Sequence, residues 1–363
     1  MIIQENIPLA PFTTLQIGGE ARYFVQARSE AQIAEALHFA AEHSLETFVL
    51  GGGSNLVVSD EGFPGLVLQV GLHGVEIEDR GTEVLFRARA GENWDDLVGL
   101  TVSRTCAGLE CMSGIPGTVG GTPVQNVGAY GQEVSQTIEF VRVLDVIAGE
   151  VRNLSNADCR FAYRTSIFNT DQQGRYIVLE VGYKLKPGGK PTIEYADLKK
   201  FFAASGRDPS LQDVRQAVRR IRQSKAMLIM PGDEDCRSAG SFFKNPIMAQ
   251  EEAERVRSLA RQRFPDEPIA EYRADNDKVK LSAAWLVEHS GFQKGFSRGP
   301  VGISRKHALA IVNRGGGTAR DIIGLKDEIQ DKVQELWNVR LQPEPVFLGF
   351  AGQPSTLLVR CQS

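Results

Sequence analysis

The sequence contains no C-x-x-C pair, and its cysteines are odd in number: Cys106, Cys111, Cys159, Cys236 and Cys361. A disulfide scaffold and a cysteine zinc site are therefore not expected, and a reducing compartment fits best. No apolar run approaches the ~20 residues needed to span a bilayer. The start, Met1-Ile2-Ile3-Gln4-Glu5, carries an early acid and no basic stretch, so no secretory leader is expected. G-x-G-x-x-G and G-x-x-x-x-G-K-[ST] are both missing, which argues against a Rossmann site and a P-loop. Positive charge is not in excess. Lys and Arg total 41 against 45 Asp and Glu, a net charge of −4, so no broad nucleic-acid footprint is expected. These absences predict a soluble cytoplasmic protein with no membrane insertion, no nucleic-acid partner and no obligate protein partner indicated.

What is present is ordinary in bulk and unusual in one residue. Hydrophobic residues make up 42% and charged residues 24% of 363, enough for a sizeable core and for two or three domains. Glycine is the outlier, with 37 residues against a usual ~7%. Backbone without side chains is needed somewhere.

The first ~70 residues read as a βαβ unit. Residues 21–27 look extended, Ser29 and Gln32 have the form of a capping box, and Ile33, Leu37 and Ala40 give one apolar helix face. Residues 47–50 read as a buried strand that runs into Gly51-Gly52-Gly53-Ser54-Asn55. A glycine loop at the carboxyl end of a parallel strand is a common ligand position. Strands are predicted over 66–70, 84–90, 140–146 and 177–185, with a helix over 94–106, and a break at 186–191. Leu211, Val214, Val218 and Ile221 are spaced for a helix, and its Arg215, Arg219, Arg220 and Arg222 read as a solvated face. Further helices are expected near 250–263, 281–289 and 318–337, and strands over 308–313 and 346–350.

Consecutive glycines let backbone N–H groups turn toward one anion, and a pyrophosphate is the natural partner. A second cluster strengthens that reading: Gly114, Gly117, Gly120, Gly121, Gly128 and Gly131 fall within 18 residues. Two such loops could clasp a long phosphate-containing cofactor between them, which spacing alone does not name.

The string Gly114-Ile115-Pro116-Gly117-Thr118-Val119-Gly120-Gly121-Thr122-Pro123-Val124-Gln125-Asn126-Val127-Gly128-Ala129-Tyr130-Gly131 resembles the flavin-binding segment of the UDP-N-acetylenolpyruvoylglucosamine reductases. Four more segments resemble that family in the same order: Gly51 to Asn55, Cys159 to Phe168, Ala239 to Pro246, and Leu341-Gln342-Pro343-Glu344. Ile193-Glu194-Tyr195 is similar to the substrate loop of its larger subtype.

The resemblance implies a mixed α+β and α/β chain. Its fold would be a two-part FAD-binding unit of the vanillyl-alcohol-oxidase type plus a separate α+β substrate domain. Residues 1–72 would form the first FAD part, 73–210 with 338–363 the second, and 211–337 the substrate domain. FAD would be held noncovalently by Gly51, Gly52, Gly53, Ser54, Asn55, Gly114, Ile115, Pro116, Gly117, Gly120, Gly121, Gln125, Asn126, Gly128 and Ala129. NADPH would reduce the flavin and leave, and a UDP-sugar enolpyruvyl ether would then be reduced to a lactyl ether in the same cleft. No metal is implied.

Arg164, Ser241 and Glu344 match the family's catalytic positions. Addition of hydride to the enolpyruvyl bond leaves negative charge beside a carboxylate, which a permanent, forked cation at Arg164 suits. Ser241 resembles the proton donor, with Phe242 and Phe243 as an apolar wall against the flavin. Glu344, between two prolines, either carries a proton or orients the enolate. Gln342 stands where an acid is usual, so no second carboxylate can replace Glu344. Tyr195, Lys225 and Asn245 match substrate contacts, Lys225 for the diphosphate. Lys280 and His289 are weaker candidates.

Two rival classes are disfavoured. Gly295-Phe296-Ser297-Arg298-Gly299 fits a hydrolase elbow, but no acid lies between Ser297 and His307, the last histidine. Flavin oxidases of this fold type often tether FAD through a histidine in the first loop, and residues 49–60 contain none. A non-catalytic nucleotide binder would not need Arg164, Ser241 and Glu344 together.

Overall fold

Ser29 starts the first helix by accepting the Gln32 N–H on its Oγ at 3.2 Å, while the Gln32 side chain accepts the Arg28 N–H at 2.7 Å. Two free helix-start donors are thereby met. The coordinates are a computed structural model that describes residues 1–203, 207–274, 277–350 and 358–359. Cys361 and the end of the expected 338–363 segment lie outside the described residues. Helix α1 (Glu30–Glu42) buries Ile33, Ala36, Leu37 and Ala40. It connects strand Glu20–Ala27 to strand Thr47–Leu50, and both run parallel to Phe63–Val70, which lies between them. Gln4–Pro8 adds an antiparallel edge.

After the first glycine loop, Leu56–Val58 leaves this sheet and pairs in parallel with Val346–Leu348. The sequence predicted that the last strand returns to the 73–210 segment; it returns to the first segment instead. The reason is polarity. Leu56, Val57 and Val58 are all buried, whereas the edge strands of the middle sheet, Val75–Asp79 and Glu150–Ser155, are mostly exposed.

The middle sheet runs Glu150–Ser155, Ile138–Asp145, Tyr176–Pro187, Val84–Arg89, Val75–Asp79, all antiparallel. Helix α2 (Trp94–Ser103) starts at Asn93, whose Oδ1 accepts the Asp96 N–H. Residues of α1 and α2 pack into one core with Phe86, Val141, Val181 and Tyr183, so the first two parts share an interior.

Two helices follow, α3 (Ala196–Phe202) and α4 (Leu211–Ser224). The apolar stripe of α4 packs on Cys111 and Leu198 of the middle segment. Arg220 is exposed as the sequence suggested, but the other three arginines are not a solvated face. Arg215 and Arg219 both pair with Asp95 at the start of α2. Arg222 is 7% exposed and donates to the Gly114 and Met227 carbonyls at 3.1 and 2.6 Å. A buried guanidinium needs such partners, and one of them, Gly114, lies 108 residues away in sequence.

Helices α5 (Gln250–Arg263), α6 (Ala283–Glu288) and α7 (Ala319–Trp337) surround two small antiparallel sheets. Their core joins Trp285, Ile322, Leu325 and Trp337, and takes in Leu15, Ile17 and Val57 from the first part. Ser297 begins a short hairpin strand rather than a strand-to-helix turn, and its Oγ accepts from Arg314 at 2.9 Å, so no hydrolase elbow is formed. Among the described residues no helix is long and apolar enough to cross a membrane.

Candidate active site

The two glycine loops meet before any ligand is considered. Ser54 Oγ donates to the Pro116 carbonyl at 3.0 Å, and Asn55 Nδ2 donates to Gln125 Oε1 at 2.8 Å. A Cβ on Gly52 would lie 2.5 Å from Gly117 Cα, and one on Gly53 would lie 1.8 Å from the Phe12 carbonyl oxygen. Gly53 also has a φ of +62°, which side chains rarely adopt. Bare backbone is thus a steric requirement here.

These loops line a cavity of about 780 Å³. Gly51, Gly52, Gly53, Ser54 and Asn55 contribute from one side, and Ile115, Pro116, Gly117, Gly120, Gly121, Gln125, Gly128 and Ala129 from the other loop. A Cβ on Gly121 would meet nothing within 4 Å, so the missing side chain leaves free space. Bare loops with a serine hydroxyl suit a pyrophosphate, and the fit to a flavin dinucleotide is good.

Two residues expected on the cofactor do not face the cavity. Gly114 is held by its N–H to Asp95 Oδ1 at 2.7 Å and by its carbonyl to Arg222. Asn126 is 1% exposed, and its side chain is spent internally: it donates to Glu133 Oε2 and the Ala162 carbonyl and accepts from the Ser135 N–H. Both residues brace the loop rather than contact a ligand. Burial pushes the Asp95 carboxyl up, but hydrogen bonds from Arg215 and Gly114 and the nearby Arg219 charge outweigh it, leaving it below the usual range.

The remaining wall is built from distant segments. Phe243 bridges to Pro343, the Glu344 N–H donates to the Phe242 carbonyl at 2.9 Å, and the Lys244 N–H donates to the Gln342 carbonyl at 2.9 Å. That pairing brings the segments of Ser241 and Glu344 together on the cavity wall. Asn55 Nδ2 also donates to the Glu344 carbonyl at 3.2 Å, tying this wall to the first glycine loop. Phe242 and Phe243, expected to face the flavin, are instead buried in the second core. Both rings pack among apolar side chains there, and neither lines the cavity that Ser241 reaches.

Arg164 lines the same cavity with its backbone in the left-handed region, at φ 54°. Its Nη2 donates to the Gly128 carbonyl at 3.0 Å. Its Nε lies 3.0 Å from Glu344 Oε1 but is not aligned on it, and this buried N–H has no hydrogen-bond acceptor among the described residues. Strained backbone and an unmet buried donor are both costly, and such features concentrate at functional sites.

Tyr195, Lys225 and Asn245 reach the cavity too. Tyr195 precedes α3 and its ring lies 5.5 Å from that of Tyr130. Lys225 ends α4, with Nζ 2.6 Å from Asp197 Oδ2. Asn245 Oδ1 accepts the Ala283 N–H. Lys280 Nζ sits 4.2 Å from the centre of the Tyr163 ring. His289 lies elsewhere, stacked on Trp285 at 3.8 Å.

Sequence reasoning missed Tyr130, Tyr163, Arg222, Tyr272 and His307, which all line the cavity. Tyr130 and Tyr163 were legible, since they stand inside quoted motifs. His307 gave no signal, because an isolated histidine ahead of an apolar run has no diagnostic spacing. Its Nδ1 accepts the Leu309 N–H at 3.0 Å. Burial, then the charges of Lys225, Lys294 and Arg222, pull it down to about 4, so it is neutral near neutral pH.

Comparison with known proteins agrees with this geometry. Residues 21–155 match the family model "FAD binding domain", and residues 231–348 match "UDP-N-acetylenolpyruvoylglucosamine reductase, C-terminal domain". The chain therefore has the mixed α/β fold with an FAD-binding domain that its sequence leads one to expect. A UDP-N-acetylenolpyruvoylglucosamine reductase from Thermobifida fusca is 45% identical over 95% of this chain and 97% of its own length. One from Mycobacterium tuberculosis is 42% identical over 96% and 95%. The crystal structure of the Thermus caldophilus reductase superposes with a TM-score of 0.64 at 25% identity, covering 96% of this chain and all of that one. With full-length likeness at that identity, the chain belongs to the UDP-N-acetylenolpyruvoylglucosamine reductase family.

Proposed function

We propose that this protein reduces the enolpyruvyl ether of UDP-N-acetylglucosamine-enolpyruvate to UDP-N-acetylmuramate, a peptidoglycan precursor. FAD is the noncovalent carrier, NADPH the reductant, and the cytoplasm the compartment. The observation that carries this reading is the buried, unaligned Nε–H of Arg164, 3.0 Å from Glu344, on a wall shared with Ser241 and beside two bare glycine loops. The parts that contain the loops hold the flavin, and the part that supplies Ser241 and Asn245 receives the UDP-sugar.

The two glycine loops would hold FAD, which would supply hydride chemistry between NADPH and the substrate. The protein's own work is positioning, charge and a proton. Arg164 binds the substrate carboxylate and stabilises the charge that develops beside it, in a site where such a cation acts strongly. Ser241 gives its hydroxyl proton to the carbanion-like centre, a base strong enough to take it from a weak acid. Glu344 holds Arg164 and the reacting end of the substrate. Lys225, Tyr195 and Asn245 bind the nucleotide portion. Noncovalent attachment is supported by the lack of histidine in 49–60.

Anaerobic titration tests the reading. The purified protein should be yellow, NADPH should bleach it, and the enolpyruvyl UDP-sugar should restore the colour. Bleaching without restoration overturns the substrate assignment.

A further inference from the structure

We propose that Asp197 is an internal stand-in for a ligand phosphate: it holds the ammonium of Lys225 when the nucleotide diphosphate is absent and competes with it when present. The inference rests on the reading above in one respect, that Lys225 meets the diphosphate.

Lys225 lines the cavity, and its Nζ lies 2.6 Å from Asp197 Oδ2. Asp197 does not line the cavity. A carboxylate oxygen and a phosphate oxygen offer an ammonium the same charge-assisted contact, so the two compete for one cation. The acid is held in place. The next residue, Leu198, is 0% exposed and packs on Val214, Ala217 and Val218 of α4. The lysine is the part that moves, because its four-carbon stem lets one ammonium serve two positions without any backbone shift. Both side chains are a little over a third exposed, at 37% and 38%, so the pair is exchangeable rather than sealed.

The competition has a kinetic use. Two nucleotides must occupy one cleft in turn, and each must leave. A built-in anion that takes back the lysine accelerates departure and sets affinity below what the cation alone would give. Asp197 is thus a positioning residue that acts through Lys225.

Binding of UDP and of uridine to the flavin-loaded full chain, by calorimetry, tests this with three variants: Asp197→Asn, Lys225→Gln and the double variant. A pair this exposed is worth at most about 1 kcal/mol, which converts to about fivefold. Asp197→Asn should bind UDP about three- to fivefold more tightly, with slower UDP release and unchanged uridine affinity. Lys225→Gln should weaken UDP, and in its background Asp197→Asn should have no effect. Unchanged or weaker UDP binding by Asp197→Asn, with Lys225→Gln still weakening it, overturns the competition and leaves the nucleotide reading intact. If Lys225→Gln does not weaken UDP, the contact between lysine and diphosphate itself is wrong, and this inference falls with it.

Discussion

The wall made by the two glycine loops and the wall that carries Arg164, Ser241 and Glu344 are constructed on opposite terms. The first is backbone, closed by loop-to-loop bonds from Ser54 and Asn55, and it excludes side chains sterically. The second is side chains, gathered from residues 164, 241 and 344 by a few backbone bonds, and it leaves a buried donor unmet. A carrier that stays bound can be gripped by shape. On the proposed function, a substrate that must react and leave is met instead by side chains, one of which keeps a donor free for it.

That contrast breaks most visibly at Ser241. Replacing it with alanine should slow reoxidation of the reduced flavin by the UDP-sugar about 10²–10⁴-fold, the usual range for a lost proton donor. Reduction by NADPH should be unchanged when the flavin absorbance is followed by stopped flow. Equal losses in both halves would make Ser241 structural and erase the difference between the walls. On the other wall, Gly53→Ala forces a Cβ to within 1.8 Å of the Phe12 carbonyl oxygen. We expect a loss of about 2–4 kcal/mol in stability and release of flavin, read as a rise in free-flavin fluorescence. Normal flavin content in that variant would show that the loop is not a steric cradle.

A smaller effect is expected at Asp95, which braces the second loop through Gly114. Asp95→Asn should cost about 2 kcal/mol in chemical denaturation at neutral pH. Its carboxyl is depressed in the folded state, so its contribution is present above the unfolded value of ~3.9 and is lost as pH falls through the lower folded value. The variant should accordingly lose less stability between pH 5 and 3, windows taken at about those values. The smallest effect concerns His307, pulled down to about 4 from an unfolded ~6.5. Between those two values the unfolded chain takes up the proton first, so stability falls as pH drops through that window. His307→Asn should remove about 1–2 kcal/mol of that dependence, with little change above pH ~7. An unaltered acid slope would mean that His307 is charged and hydrated in the fold.

Legibility in the sequence follows the same division. The glycine loops could be read because their chemistry is local, and the capping of α1 and the period of α4 are local too. What the polar face of α4 touches could not be read, since Arg215 meets Asp95 across 120 residues. Asn126 is offered to the cofactor by the motif resemblance, and only the closing of its loop on Ala162 and Ser135 reveals a brace. Phe242 and Phe243 failed for a related reason. The motif gives their identity, but the core that receives both rings is assembled from segments far apart in the chain. Arg164, Ser241 and Glu344 are joined only by whole-motif resemblance, and no spacing rule would have brought them together.

The bond from Asn55 to the carbonyl of Glu344 spans 289 residues. Seen from the ribosome, that span is a delay. At about 5–20 residues per second, roughly a quarter to a full minute separates the first glycine loop from the residue that anchors it. During that interval the apolar strand Leu56–Val58 has no partner strand, since Val346–Leu348 is still unmade. The nascent chain can tie its first loop to the second through Ser54 and Asn55, but it must wait to join that loop to the wall of Glu344, so the cavity is completed only when the last part is made.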